Sequence, residues 1–273
     1  MAGFFGLFYD TKEGPGIPKN APPKPRAIVF FEVYIRKFWH LAKLNIMFFL
    51  FNLPALIMMP FIVQIYFPNL SINTGLQDGN LDKSLLYFAL GGIFLCIPVL
   101  TVGPAQAGFT FVLRNFAREE HAFLWGDFKE HALKNLKQST MICIIDILAI
   151  CIVGVDLNVY LRLSEPNVFL SVITGLSILL FLIFVMMHLY LYPMLVTFKL
   201  STIQLYRNAF ILAVIKFFPN LAILALCAAL AVLPIVYFPL TGIVLSFFIT
   251  LSTIGLITNS YVYPKLIKYI INR

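Results

Sequence analysis

The sequence predicts an all-α, polytopic transmembrane bundle of six spans, with interfacial helices on its charged side. Three observations predict it. The chain is 60% hydrophobic and only 12% charged, about half the charged share of a soluble domain. Apolar runs recur that are long enough to cross a hydrocarbon core, which takes roughly 20 helical residues. The basic residues also alternate by loop. One set of segments carries seven Lys and Arg (up to Lys43), five (114–138), three (199–216) and three (from Tyr261), eighteen in all. The other set carries two, Lys83 and Arg162. The positive-inside rule then puts both termini and both long connectors in the cytoplasm.

Two regions follow. Residues 1–27 are a cytoplasmic, Pro/Gly-rich segment in which Pro15, Pro18, Pro22, Pro23 and Pro25 break any helix. Its apolar cluster Phe4–Tyr9 lacks a basic flank and is too short for a signal peptide. Residues 28–273 form the membrane domain. Residues 28–43 are basic and aromatic, with Arg36, Lys37 and Lys43 beside Phe38 and Trp39. That pattern suits a helix lying at the headgroup level. The first span is Leu44–Phe67, interrupted by Asn52 and Pro54. After a polar loop, 68–83, the second span is Ser84–Leu113.

Between the second and third spans lies the most charged connector. Asp127 and Glu130 stand three apart, a capping box at the start of an interfacial helix over 127–137. Trp125, Phe128, Ala132 and Leu136 fall at helical spacing and make one apolar stripe. Trp125, Phe128 and Leu136, with Trp39, are the candidates for contact with the membrane surface or a docking partner. The third span, Gln138–Leu163, and the fourth, Asn167–Phe198, are joined by a short turn and form an antiparallel hairpin. A basic segment, 203–216, precedes the fifth span, Phe217–Phe238, and the sixth is Leu240–Tyr261. Each even span ends in a proline followed five residues on by an aromatic: Pro104 and Phe109, Pro193 and Phe198, Pro264 and Tyr269. This points to a three-fold repeat of interfacial helix, span, turn, span. Pro54, Pro104, Pro193 and Pro264 are expected to break their helices.

Few residues suggest chemistry. The four cysteines lie in apolar runs without metal-site spacing. No catalytic motif such as H-E-x-x-H or G-x-S-x-G occurs. The reading is therefore a non-enzyme with no cofactor and no metal, whose partner is the bilayer and not nucleic acid. One polar pair stands out. Counted from the charged ends of their spans, Asp146 and His188 sit at depths of about 12 and 15 Å at 1.5 Å per residue. A carboxylate in hydrocarbon needs a partner, and His188 is the nearest ionisable group by depth.

Three stretches, FFEVYIRKFWHLAKLNIMFFLFNLP (30–54), GPAQAGFTFVLRNFAREE (103–120) and WGDFKEHALKNLKQS (125–139), make the chain resemble the YesL family of bacterial membrane proteins. The N-terminal FFGLFYDTKEGPGIPKNAP is similar to that of longer, clostridial-type members. The resemblance implies a bacterial cytoplasmic membrane protein associated with carbohydrate ABC importers and polysaccharide use. HALKNLKQS lacks the Glu-Ala-Ala coupling signature of importer permeases, so the implied role is that of an accessory or regulatory subunit whose partners are importer subunits. The alternative is a transporter or channel in its own right, with Asp146 and His188 as its intramembrane polar site.

Overall fold

The computed structural model describes residues 25–66, 81–161 and 168–271, and these form helices without strands. The expected N-terminal segment up to Lys24, the loop 67–80 and the turn 162–167 lie outside the described residues. The helices are α1 (Arg26–Tyr66), α2 (Leu81–Ala117), α3 (Leu124–Lys134), α4 (Leu136–Leu161) and α5 (Val168–Leu195). They continue with α6 (Thr202–Ile215), α7 (Phe217–Tyr237), α8 (Pro239–Leu245) and α9 (Leu251–Leu266). A π-turn, Ser246–Thr250, joins α8 to α9, and a second, Ile267–Ile271, follows α9. Among the described residues, five helical stretches are long and apolar enough to cross a membrane. Four of them fall on the expected spans three, four, five and six, whereas the first, Arg26–Met58, begins well before the expected Leu44–Phe67 and shares only 44–58 with it. The expected second span lies on α2, an unbroken helix of 37 residues.

The helices are arranged as an inner triangle with an outer ring. α2, α5 and α9 pack against one another. Each outer helix sits between two inner ones: α4 between α2 and α5, α7 between α5 and α9, and α1 between α2 and the π-turn and α9. The short helices obey the same rule, since α3 packs on α2 and α6 on α5. The start of α1 completes the ring by lying beside Ser260, Tyr263 and Ile267 of the α9 end. Each of these segments thus leans on the inner helix of the preceding hairpin.

The first hairpin differs from the other two. The segment 28–43 is not a separate interfacial helix. It runs straight into the first span as one helix of 41 residues, about 61 Å at 1.5 Å per residue, against a hydrocarbon thickness of about 30 Å. Val33, Leu41 and Leu44 are buried along one face, and nothing between Lys43 and Leu44 breaks the helical register. In the other two hairpins the short helix is separate, broken from its span at Asn135 and at Lys216.

The proline expectation also fails. Pro54, Pro104, Pro193 and Pro264 all lie inside helices. In a membrane bundle, neighbouring helices and side chains can satisfy the groups that a proline frees, so the helix continues past it. Two glycines let helices close on α2. A Cβ at Gly108 would collide with the α3 backbone at Phe128, and one at Gly103 with the α4 backbone at Ser139. Such close approach through small residues is a common device of membrane helix packing.

The cap expectation is corrected as well. α3 starts at Leu124, with Phe123 as its cap residue, so Asp127 is not the cap and makes no capping box with Glu130. The apolar Leu124 and Trp125 have joined the first turn, and Asp127 Oδ2 instead reaches back to accept from the Phe123 N–H at 2.8 Å. A capping box does occur at Ser201 and Gln204, at the start of α6. At the end of α2, Glu120 N–H donates to the Asn115 carbonyl (2.8 Å) and Glu119 N–H to that of Phe116 (3.0 Å). This is the bonding of a Schellman motif, which usually places glycine at the left-handed position. Here that position is Glu119, with φ 58°, and its carboxylate accepts from Arg36 of α1 at 2.9 Å.

Candidate functional site: polar groups inside the bundle

α4 and α5 are antiparallel neighbours, so residues of equal depth meet. His188 Nε2 lies 2.7 Å from Asp146 Oδ1. His188 Nδ1 lies 2.9 Å from the Phe184 carbonyl, which can only accept, so Nδ1 carries a hydrogen. One proton is therefore shared across the Nε2–Oδ1 contact, and the pair is either imidazolium–carboxylate or neutral imidazole–carboxylic acid. Both side chains are about a quarter exposed, 26% and 24%, so the pair sits at the wall of the bundle and not in a sealed core.

Tyr192 of α5 and Tyr206 of α6 lie within electrostatic reach of Asp146. The Tyr206 hydroxyl is buried and has no hydrogen-bond partner among the described residues. Burial first, then the charges of Asp146 and Cys143, push the Tyr206 phenol up. An orphaned hydroxyl within electrostatic reach of a carboxylate is an unused donor, and leaving it buried costs about 1–3 kcal/mol.

Three other interior polar side chains, Asn45, Asn220 and Arg114, are by contrast well bonded, although Asn52 Oδ1, Thr140 Oγ1, Asp156 Oδ2, Thr174 Oγ1 and Asn259 Oδ1 are buried without a partner among the described residues. Asn45 of α1 is fully buried. Its Nδ2 donates to the Ser246 and Phe247 carbonyls at 2.8 and 2.6 Å, and its Oδ1 accepts from the Ser252 N–H at 2.8 Å. The π-turn interrupts the helical ladder at these groups, and the Asn45 carboxamide completes it. Asn220, near the start of α7, is likewise fully buried. It accepts from the Tyr190 and Tyr261 hydroxyls at 2.6 and 2.7 Å and donates to the Leu212 and Ala213 carbonyls at 3.1 and 3.2 Å. Those carbonyls belong to the last turn of α6, where intrahelical donors run out, although Leu212 also accepts from the Lys216 N–H at 3.2 Å. Asn220 therefore fills its own capacity and caps α6 while tying α7 to α5 and α9.

Arg114, near the end of α2, plays the same part for α5. Its Nη1 donates to the Val196 carbonyl at 2.7 Å, and its Nη2 to Asn115 Oδ1 at 2.9 Å. The guanidinium lies 4.4 Å from the Phe111 ring centre. A cation at a helix C-terminus is favourable because the helix dipole is negative there.

The candidate docking residues separate. Phe128 is fully buried, packed on α2 and on Phe51 with ring centres 5.0 Å apart. It anchors α3 to its own bundle and is not available to a partner. Trp125 and Leu136 remain exposed, and Trp39 most of all at 73%. Trp39 shares its exposed face with Phe31 and Ile35.

Reading the sequence did not single out Asn45, Asn220 or the Tyr206 hydroxyl. For the asparagines a signal existed, since a carboxamide within or at the edge of an apolar run needs partners. Nothing in the sequence names those partners, which come from helices distant in the chain.

Residues 41–157 match the family model described as "Protein of unknown function, DUF624". The match takes in α1 from Leu41, all of α2 and α3, and α4 up to Leu157. It includes Asn45, Arg114 and Asp146 and ends before His188 and Asn220. No curated protein and no solved structure matches the chain.

Proposed function

We propose that this chain is a non-enzymatic, multi-pass protein of the bacterial cytoplasmic membrane, with both termini cytoplasmic, that serves as an accessory or regulatory subunit of a carbohydrate ABC-type uptake system. We take the match over 41–157 and the YesL resemblance to describe one family, and the association with carbohydrate importers comes from that resemblance. The observation that carries a binding role is the ridge Phe31, Ile35 and Trp39 on the long helix α1. It lies before the expected start of the first span, on a helix about twice as long as a bilayer core requires, and it is exposed among the described residues. Exposed aromatic anchors at such a place suit a protein partner. The saturated clasps at Asn45, Arg114 and Asn220 favour a bundle that holds one shape over one that alternates between two.

A second reading, a transporter or channel in its own right, is favoured by the proton shared between Asp146 and His188 and by the nearby Tyr206 hydroxyl. Intramembrane ionisable groups commonly mark ion or proton paths. The two readings part on one experiment. Purified chain alone, reconstituted in vesicles with a pH-sensitive dye inside, moves no protons or sugars if it is an accessory subunit. A flux abolished by Asp146→Asn supports the second reading.

A further inference from the structure

At the end of the bundle where α1 begins and α9 finishes, a cavity of about 230 Å³ lies between α1, α2 and α9. Its wall is mostly apolar, with Val29, Phe30, Val33 and Ile267, and it is polar at Arg26 and Tyr263. The volume is below the roughly 300 Å³ at which pockets for whole small molecules begin, so it suits one part of a larger amphiphile.

One wall residue, Arg26, belongs to a group of positive charges whose lysines lie outside the cavity lining. Lys265 lies within electrostatic reach of both Lys216 and Arg26. Tyrosine rings face these lysines, with Lys265 Nζ 2.7 Å from the Tyr261 ring centre and Lys216 Nζ 5.7 Å from that of Tyr269. The nearby acids are engaged elsewhere. Glu119 pairs with Arg36 and Glu120 with Arg118, and Glu32 has an interaction of its own. Among the described residues no carboxylate pairs with Arg26, Lys216 or Lys265. Like charges held near one another repel, so an anion among them is favourable.

We propose that this cavity and the Arg26–Lys216–Lys265 cluster form a seat for an anionic phospholipid, its phosphate on the cations and part of its apolar chain against Val29, Phe30, Val33 and Ile267. The apolar lining selects a lipid over a free phosphate. Basic pockets between membrane helices are a known form of anionic headgroup recognition.

The test uses the full chain purified in a neutral detergent. Phosphatidylglycerol, phosphatidylcholine of the same acyl chains, and soluble glycerol phosphate are added in parallel while thermal unfolding is followed. Phosphatidylglycerol should raise Tm by about 5 °C over phosphatidylcholine, a shift on the scale expected of specific binding, and glycerol phosphate should leave Tm unchanged. The difference should vanish in Arg26→Gln/Lys265→Gln and persist in Lys129→Gln, an exposed lysine of α3. Equal shifts from the two lipids overturn the proposal. So does a shift from glycerol phosphate alone, which would mean a free phosphate ligand. Should the double variant not fold, the wild type decides by salt. The preference should collapse at 1 M salt, where the Debye length is about 3 Å, and its survival there counts against the cluster.

Discussion

Asn45 and the Asp146–His188 pair are both polar intrusions into an apolar bundle, yet they are handled in opposite ways. Asn45 spends both its donors on the π-turn and accepts from the first turn of α9. Asp146 and His188 share one proton at the bundle wall, and the hydroxyl of Tyr206, within electrostatic reach of Asp146, is buried without a partner among the described residues. A saturated group is a fastening, because any movement breaks bonds that nothing else in hydrocarbon can replace. A site with an unused donor is not held so tightly and can accept something more. The difference teaches where this molecule is rigid and where chemistry remains open.

The sharpest way to break the comparison is at Asn45. Asn45→Leu removes three hydrogen bonds, two to carbonyls of the π-turn and one from the Ser252 N–H of α9. Interhelical hydrogen bonds in membranes are worth on average about 0.6 kcal/mol each, so three give about 2 kcal/mol. Thermal unfolding in detergent should show that loss, and a loss below about 0.5 kcal/mol would mean that the π-turn does not depend on Asn45. Asn220→Ala should follow closely, because it removes the two acceptor bonds from Tyr190 and Tyr261 and uncaps α6.

At the pair the expected effects are smaller. Asp146→Asn keeps a hydrogen-bonding group opposite His188, and its stability change should stay under about 1 kcal/mol. Tyr206→Phe removes a buried hydroxyl that has no partner among the described residues, and it should leave stability unchanged or raise it by up to about 1 kcal/mol. If Tyr206→Phe instead destabilises as much as Asn45→Leu, the hydroxyl is a structural group and the contrast between the two regions disappears.

Much of this could be read from the chain. Hydropathy located the spans because lipid imposes length and apolarity on each of them separately. The Asp146–His188 contact was reachable by counting, since two helices joined by a short turn place residues of equal depth side by side. The Asn45 clasp was not reachable, because a π-turn has no composition of its own and its partner lies some two hundred positions away. The fusion of 28–43 with the first span was hidden for another reason. Its basic and aromatic residues suit the headgroup level, and only the packing of Val33, Leu41 and Leu44 shows that the helix continues. Phe128 misled in the same way, since an apolar stripe on an amphipathic helix does not say which neighbour it faces.

Two smaller effects sharpen the picture on the short elements. The His131 ring stacks on Phe111, with centres 3.2 Å apart, and burial first lowers its pKa from the usual 6.5 despite the Asp127 carbonyl and Glu130. The folded state then binds protons less readily than the unfolded one, so the contribution of this stack is present above about pH 6.5 and fades as pH falls below it. Unfolding at pH 7.5 and 5.5 should show the wild type losing stability at the lower pH, with a smaller loss in His131→Phe. The least effect is expected at Glu119→Gly. Glycine relieves the left-handed backbone by about 1 kcal/mol, while the exposed Arg36 pair it removes is worth about the same at most, so the two nearly cancel.

The measurement that bears most directly on the proposed role is affinity purification of the full chain from its native membranes in mild detergent, followed by identification of the proteins that come with it. Wild-type chain should bring down subunits of a carbohydrate ABC importer. Trp39→Ala, which opens no core cavity because Trp39 is exposed, should reduce their recovery about tenfold, the effect of losing roughly 1.4 kcal/mol from an interface anchor, with the chain's own level unchanged. Purification of the wild type without any importer subunit, or recovery undiminished in Trp39→Ala, would contradict the account.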